Sequence, residues 1–319
     1  MVVGPTVEGN VASPRGEPGS PEAPVFLVGP ARSGTSLLYK LLCLHPDAAF
    51  ISNYVARAPW APWLASVNRI AARAPERRHR VWFGGSGTNA YVYGERRPLA
   101  DRLFPMPVEG EPVFARAGLP PDAMPAEARR SEAERRLRAA IRSVRAADGG
   151  AVLVNKRIAN IYRVPALLGA FPAARFVALV RDGRAVALSL SKVDWWPSST
   201  VVGYGGTPER WAAQGGDPWE LCARNWVDEL AAMERGLEVV PGGQILRLRY
   251  EDVIAAPRAR LGEVRAFAGL DDSAAWDAAI DHVRFPDRND AWLDVLDPAA
   301  RATIDEIQGS VLERYGYGD

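Results

Sequence analysis

The sequence predicts an α/β fold in which helices cover both faces of a central parallel sheet. Three observations predict it: short apolar runs typical of buried strands, longer segments with helical spacing of apolar residues, and the alternation of the two along the chain. With 319 residues, the chain is long enough for one large domain with a buried core. The predicted strands occupy residues 24–29, 48–52, 151–154, 175–180 and 244–250.

The helices are predicted from leucine spacing, composition and the residues that terminate them. Leucines between positions 37 and 44 recur at helical spacing, and His45-Pro46-Asp47 ends that helix. Residues 126–147 are rich in Ala, Arg, Glu and Leu, and Asp148-Gly149-Gly150 stops the helix that they form. Two further helices are predicted at residues 158–171 and 183–192.

Two segments stand outside this alternation. Residues 1–23 are rich in Gly, Pro, Glu and Ser and lack the pattern of a signal peptide. We therefore expect a disordered tail before a single domain of residues 24–319. Within the domain, residues 54–150 begin with an irregular stretch of Gly, Pro and aromatic residues, for which short helices and loops are expected.

The composition excludes several classes of protein. The net charge is +1, from 39 basic and 38 acidic side chains, whereas general nucleic-acid binding needs a basic surface. No apolar stretch approaches the roughly 20 residues that span a bilayer. The two cysteines and three histidines show no disulfide or metal-ligand spacing. These features favour a cytoplasmic enzyme that binds neither nucleic acid, membrane nor metal.

The first motif lies between the first predicted strand and helix, where a helix N-terminus favours anions. Its spacing resembles a Walker A loop, but Thr35 stands where that loop has lysine, and the cation is Arg32. A kinase or NTPase needs this lysine and a magnesium site, so the motif argues against both. It reads Gly29-Pro30-Ala31-Arg32-Ser33-Gly34-Thr35-Ser36.

The stretch from Arg32 to Leu38, followed by His45-Pro46-Asp47, resembles the 5′-phosphosulfate loop of the sulfotransferases that use 3′-phosphoadenosine 5′-phosphosulfate (PAPS). It is most similar to the branch that includes the tyrosylprotein sulfotransferases and many bacterial enzymes. The resemblance implies a P-loop NTPase-like three-layer fold, PAPS as co-substrate, and 3′-phosphoadenosine 5′-phosphate (PAP) as product. It also implies a phosphosulfate site formed by Arg32, Ser33, Gly34, Thr35 and Ser36.

A second stretch, residues 171–189, resembles the half of the family's site that holds the 3′-phosphate. The resemblance assigns this phosphate to Arg181, at the end of a predicted strand, and to Ser189, about two turns into the next helix. Arginine offers a planar fork of donors, and serine adds a hydroxyl. Lys192 is expected to replace a further arginine of the family, and the polar loop at Arg288-Asn289 to close over the nucleotide.

Lys156 and a carboxylate complete the predicted chemistry. The family places a lysine such as Lys156 at the end of the preceding strand, beside the bridging oxygen, where a cation stabilises the departing phosphate. The tyrosylprotein branch takes the acceptor proton with a glutamate just after the second strand, but Ile51-Ser52-Asn53 holds no carboxylate there. We expect Glu109 to be the base. Weaker candidates are Glu111, Glu95 and His79.

The sequence therefore predicts transfer of a sulfonyl group from PAPS to a hydroxyl of an aromatic or glycosidic small molecule. The Ala, Arg, Gly and Pro bias is typical of a high-GC bacterial genome, which fits a tailoring role in secondary metabolism. Two alternatives stay open: a kinase or NTPase built on the same loop, and a nucleotide-binding protein without catalysis. A homodimer is also left open.

Overall fold

The computed structural model describes residues 23–84, 98–121, 126–285 and 287–318. Its strands are β1 Val25–Val28, β2 Ala48–Phe50, β3 Val152–Lys156, β4 Arg175–Val180 and β5 Ile245–Arg249. They form one parallel sheet in the order β2-β3-β1-β4-β5. The predicted α/β class is confirmed, and each of the five predicted runs contains or overlaps one strand.

The helices of the described ranges surround this sheet. Three short 3₁₀ helices, Pro62–Val67, Trp196–Ser198 and Gly242–Gln244, lie between them. The α-helices are α1 Thr35–Leu42, α2 Asn53–Arg57, α3 Asn68–Ala72, α4 Pro75–Phe83, α5 Leu99–Arg102, α6 Glu111–Ala117, α7 Glu127–Asp148, α8 Asn160–Ala170, α9 Gly183–Leu190, α10 Pro208–Ala213, α11 Pro218–Leu237, α12 Tyr250–Ala255, α13 Pro257–Ala268, α14 Ala274–Asp281, α15 Ala291–Val295 and α16 Pro298–Arg314.

Alternate side chains of the strands enter two separate apolar cores, one on each face of the sheet. On β1, Phe26 and Val28 pack in one core, whereas Val25 and Leu27 pack in the other, as the period of two in an extended strand requires. Buried residues of α7, α8 and α11 complete the first core, and those of α1, α13 and α14 complete the second. The molecule thus has three layers, with the sheet in the middle.

The strand order brings three chain segments together at one edge of the sheet. β1 lies between β3 and β4, with Leu27 opposite both Lys156 and Val177. Because parallel strands all end at the same edge, the segments that follow β1, β3 and β4 meet there. Ligands of open parallel sheets bind at this edge.

The remaining sequence predictions concern two helices, the N-terminal tail and membrane-spanning segments. The long predicted helix is α7, and the helix predicted at residues 158–171 is α8, which contains Pro165. The predicted tail, residues 1–23, lies outside the described residues except for Ala23. Within the described ranges, no helix is long and apolar enough to cross a membrane.

Candidate active site

The turn between β1 and α1 adopts a backbone that few residues tolerate. Gly34 precedes the helix with a φ of 88°, and Arg32 also has a positive φ, 67°, which is uncommon for a residue with a side chain. A Cβ atom on Gly34 would lie 2.3 Å from the Tyr250 ring. The turn therefore needs glycine at this position, and it delivers the chain to the N-terminus of α1, where anions are favoured.

A cavity of about 280 Å³, here called the smaller cavity, lies over this turn. Predicted residues from the ends of three strands, β1, β3 and β4, line it. Ser33 is the exception among them: it is fully buried, and its N–H donates to the Pro30 carbonyl at 3.2 Å. The predicted residues that line the smaller cavity are Arg32, Gly34, Thr35, Ser36, Lys156, Arg181, Ser189 and Lys192.

The two arginines predicted to bind opposite ends of the nucleotide are neighbours in space. Arg181 Nη1 donates to the Arg32 carbonyl at 3.4 Å. Arg32 Nε donates to Ser189 Oγ at 2.9 Å, which links the turn after β1 to helix α9. The strand order β3-β1-β4 accounts for this proximity, because Arg32 follows β1 and Arg181 follows β4.

Arg181 is a buried cation held by neutral oxygens. Only 9% of the residue is exposed, and its Nε donates to Asn289 Oδ1 at 3.1 Å. Nη2 donates to the Arg288 carbonyl at 3.3 Å, and within the described ranges Arg181 has no carboxylate in an ion pair. Burial lowers the pKa of Arg181, since removal from water disfavours the charged form. A buried guanidinium without a counter-ion suits an anionic ligand.

Lys156 also lines the smaller cavity, with 2% of its surface exposed. Its Nζ forms an ion pair with Glu109, whose other carboxylate oxygen pairs with Arg157. Burial alone would raise the pKa of Glu109, but these two cations outweigh burial and hold that pKa below its ordinary value. Glu109 is therefore ionised and in contact with the predicted catalytic lysine.

A second cavity, about 960 Å³ and here called the larger cavity, lies beyond this ion pair. Its wall is mainly apolar and includes Met106, Val108, Tyr162, Trp195 and Trp196. Both cavities border the turn after β1: Ala31 lines the larger cavity and its neighbour Arg32 the smaller one. Ile158 lines both, so the two spaces adjoin.

Comparison with known sequences identifies the family. A family model described as the sulfotransferase family matches residues 24–274. The chain belongs to the sulfotransferase family. This membership confirms the resemblance stated from the motifs, and with it the predicted enzyme class, a PAPS-dependent sulfotransferase.

The relatives of this sulfotransferase include named bacterial enzymes. Omega-hydroxy-beta-dihydromenaquinone-9 sulfotransferase Stf3 of Mycobacterium bovis is 24% identical over 330 aligned positions, which cover 93% of this chain and 76% of that protein. Stf3 of Mycobacterium tuberculosis matches with the same figures. The crystal structure of sulfotransferase STF9 from Mycobacterium avium superimposes with a TM-score of 0.55 and 15% identity, covering 92% of this chain and 76% of that one. This likeness supports the predicted P-loop NTPase-like fold.

The sulfotransferase carries its predicted base candidates at different places. Glu109 and Glu111 both line the larger cavity, but Glu111 is held by Arg163 at 2.6 Å and by Arg157 at 2.9 Å. Glu95 lies outside the described residues. His79 lines neither cavity and stacks on Phe83 with ring centroids 5.4 Å apart.

Asn53 occupies the stretch where the related branch has its glutamate. It lines the larger cavity, and its side chain bridges two backbone groups. Its Oδ1 accepts from the Met106 N–H at 3.1 Å, and its Nδ2 donates to the Phe104 carbonyl at 3.2 Å. Asn53 therefore fixes the segment that leads to Glu109, and this brings Glu109 towards Lys156.

The aromatic residues of the larger cavity differ from those singled out in the sequence. Trp60 and Trp63 are 67% and 66% exposed, and Trp82 is fully buried in the core. Tyr91 and Tyr93 lie outside the described residues. Tyr162, Trp195 and Trp196, which line the cavity, come from α8 and from the segment after α9.

Sequence reasoning also missed several residues at the two cavities. Tyr250 and Arg284 line the smaller cavity, and the Tyr250 ring lies 4.7 Å from the Arg181 guanidinium carbon. Tyr250 directly follows β5, so the rule that ligands bind at the ends of strands could have found it. Asn225 and Glu229 of α11 line the larger cavity, and no local motif marks them.

Proposed function

We propose that this sulfotransferase binds PAPS in the smaller cavity and transfers its sulfonyl group to a hydroxyl of a small molecule held in the larger one. The observation that carries the proposal is the contact between Arg181 and the Arg32 carbonyl, at 3.4 Å. Residues predicted to bind the two anionic ends of one nucleotide thus line the same cavity.

The 5′-phosphosulfate is assigned to the turn after β1. Arg32 supplies the charge, and Gly34, Thr35 and Ser36 place the N-terminus of α1 beneath the anion. All four line the smaller cavity. The part predicted for Ser33 stays a prediction, because its side chain is buried away from that cavity.

The 3′-phosphate is assigned to Arg181 and Ser189. Arg181 supplies a buried, forked donor without a carboxylate partner among the described residues, which favours a doubly charged phosphate. Lys192, Arg284 and Arg288 also line this cavity, and their charge adds to its attraction for a polyanion. The loop that holds Arg288 and Asn289 contacts Arg181 directly, which supports its predicted closure over the nucleotide.

Lys156 is assigned to the leaving phosphate. As the bond between sulfur and the bridging oxygen breaks, negative charge builds on the 5′-phosphate, and a fixed cation lowers the energy of that state. Lys156 is buried, lines the smaller cavity and also contacts Glu109 of the larger one. It therefore lies where the donor and acceptor spaces meet.

Glu109 as the general base stays a prediction. Its contact with Lys156 supports a place close to the reacting atoms. The two cations that hold it make its carboxylate a weak proton acceptor, because a base is most effective when its pKa lies near the working pH.

The acceptor is assigned to an apolar, aromatic or aliphatic molecule with one reactive hydroxyl. The size of the larger cavity, about 960 Å³, and its tryptophans favour such a molecule over a purely polar sugar. The relatives named Stf3 act on a menaquinone derivative, which fits an apolar acceptor.

A cytoplasmic location and a homodimer stay predictions. The two cysteines, Cys43 and Cys222, are buried free thiols.

Calorimetry tests the donor. The protein is titrated with PAP, with ATP and Mg²⁺, and with GTP and Mg²⁺, and PAP is expected to bind tightest. Preference for a magnesium nucleotide would favour the kinase or NTPase alternative. Tight PAP binding without PAP release from PAPS would favour the non-catalytic alternative.

A further inference from the structure

Two buried polar side chains on α11 face the larger cavity at the point where it meets the turn after β1. Asn225 and Glu229 are one helical turn apart, so they share a face of the helix. They are 5% and 8% exposed, and both line the cavity. Their helical neighbours Trp226 and Leu230 are fully buried. Polar groups in such a place cost free energy unless they find partners.

Glu229 has its hydrogen-bond partner in the turn after β1. Its Oε2 accepts from the Ala31 N–H at 2.6 Å, across 198 positions of sequence. Ala31 precedes Arg32, which lines the smaller cavity. The carboxylate of Glu229 is therefore attached to the turn that both cavities border.

Asn225 supplies a buried donor beside Glu229. Its Nδ2 makes no hydrogen bond of ordinary geometry within the described ranges, and its amide interacts with the Glu229 carboxylate, whose pKa it lowers. Leaving a buried donor unpaired costs about 1–3 kcal/mol, so such a group in a cavity wall suits a ligand that accepts a hydrogen bond. A hydroxyl group both accepts and donates, and it matches the donor of Asn225 beside the acceptor of Glu229.

We propose that Asn225 and Glu229 bind the reacting hydroxyl of the acceptor and that Glu229 takes its proton, an inference that rests on the proposed sulfotransferase site. The hydroxyl accepts from Asn225 Nδ2 and donates to the Glu229 carboxylate. Its oxygen forms a bond to the sulfur of PAPS while the bond from sulfur to the bridging oxygen breaks. The electron pair of that bond leaves with PAP beside Lys156, and the proton passes from Glu229 to water.

The electrostatics of the two carboxylates support this division of roles. Burial raises the pKa of Glu229 to about 7, opposed by the Ala31 hydrogen bond, by Asn225 and by Lys156 of β3, while Asp228 of the same helix adds to the rise. Glu109 is held below its ordinary pKa. A carboxylate that titrates near neutral pH accepts a proton more effectively than one fixed by two cations.

The deciding variant is Glu229→Gln, which keeps a carbonyl oxygen for the Ala31 N–H but cannot take a proton. PAP release from PAPS is measured between pH 5.5 and 9 with 1-octanol as the probe acceptor, whose hydroxyl stays protonated over this range, and with water alone. In the wild type the rate should rise with pH to a plateau, because the ionised carboxylate is the active form. The variant should lose about 10²–10⁴-fold in kcat and lack the rise.

Four further measurements separate this role from a structural one. Asp228→Asn removes an exposed carboxylate from the same helix and should keep the rate within about threefold. Glu109→Gln should retain the rise with pH. PAP should bind Glu229→Gln with the affinity of the wild type, since the turn is intact. Asn225→Ala should raise the KM of the acceptor about tenfold, as expected for one lost hydrogen bond, with a smaller change in kcat.

Several results would overturn the inference. One is a Glu229→Gln enzyme that keeps its activity or its rise with pH. Another is loss of the rise in Glu109→Gln alone, which would make Glu109 the base. Weakened PAP binding in Glu229→Gln with an unchanged pH profile would reduce Glu229 to a support for the turn. Failure of the wild type to bind PAP would refute the proposed function itself.

Discussion

Arg181 is the residue on which nucleotide recognition depends most directly. It is buried, and its side chain donates hydrogen bonds to neutral oxygens of Arg32, Arg288 and Asn289. Arg181→Ala should raise the Kd of PAP about 100-fold or more, because two or more charge-assisted hydrogen bonds to the 3′-phosphate are lost. Isothermal titration calorimetry measures the change.

Arg224→Ala is the matched control for Arg181. Arg224 is an exposed arginine whose side chain pairs with Glu220 at 2.8 Å on α11, and its loss should leave the Kd within about threefold. Equal affinity of the Arg181→Ala protein and the wild type would remove Arg181 from the site.

Lys156 and Arg157 are adjacent cations that share Glu109 but face different cavities. Lys156→Ala should lower kcat by about 10²–10³-fold, since charge on the leaving phosphate is no longer balanced, and should weaken PAP binding much less. Arg157→Ala should act mainly on the KM of the acceptor. Steady-state kinetics with calorimetry separates the two; equal losses of kcat and PAP affinity in Lys156→Ala would contradict its assigned role.

Single residues differ in how far the sequence could predict them. Arg32, Arg181 and Lys156 each follow an apolar run in a stretch that resembles a family motif, so both their identity and their position were predicted. Glu229 could not be found in this way, because its partner Ala31 lies 198 positions away and the helix around it looks like an ordinary amphipathic helix. Its burial is a product of tertiary packing alone.

Among the elements, the turn before α1 depends on a backbone conformation rather than on side chains. Gly34→Ala would place a Cβ 2.3 Å from the Tyr250 ring at a φ of 88°. This should destabilise the protein by about 1–3 kcal/mol and weaken PAP binding at least tenfold, as the N-terminus of α1 shifts. Urea unfolding and calorimetry measure the two effects.

Gly309 offers a contrasting glycine within α16. A Cβ there would meet nothing within 4 Å, so Gly309→Ala should stabilise the protein by up to about 1 kcal/mol through helix propensity and leave PAP binding unchanged. If both glycine variants behaved alike, the special backbone of the turn would not matter.

The elements also differ in how well the sequence marks them. The buried strands and α7 were predicted within a few residues because apolar runs and a long helical composition are strong local signals. The region from α2 to α6 was predicted only as short helices and loops. Its helices have between four and nine residues, too few to show a clear period, and side chains such as Asn53 fix them through contacts made only on folding.

For the whole molecule, residues at or just after the ends of β1, β3, β4 and β5 line the smaller cavity. A ligand bound there contacts all four segments and should therefore stabilise the folded protein. At about 100 times its Kd, PAP should add about 2.7 kcal/mol to the free energy of unfolding and raise the melting temperature by several degrees. AMP, which lacks the 3′-phosphate, should stabilise far less. Thermal unfolding with each nucleotide checks this, and equal shifts would argue against a 3′-phosphate site.

Ala31 and Arg32 are consecutive in the chain yet border different cavities, and this gives the protein a mechanical link. When the peptide unit between Ala31 and Arg32 rotates or shifts, it changes the walls of both cavities at once. Occupancy of one space should thus change the affinity of the other, and such cooperativity is reciprocal: the factor by which PAP alters acceptor binding must equal the factor by which the acceptor alters PAP binding.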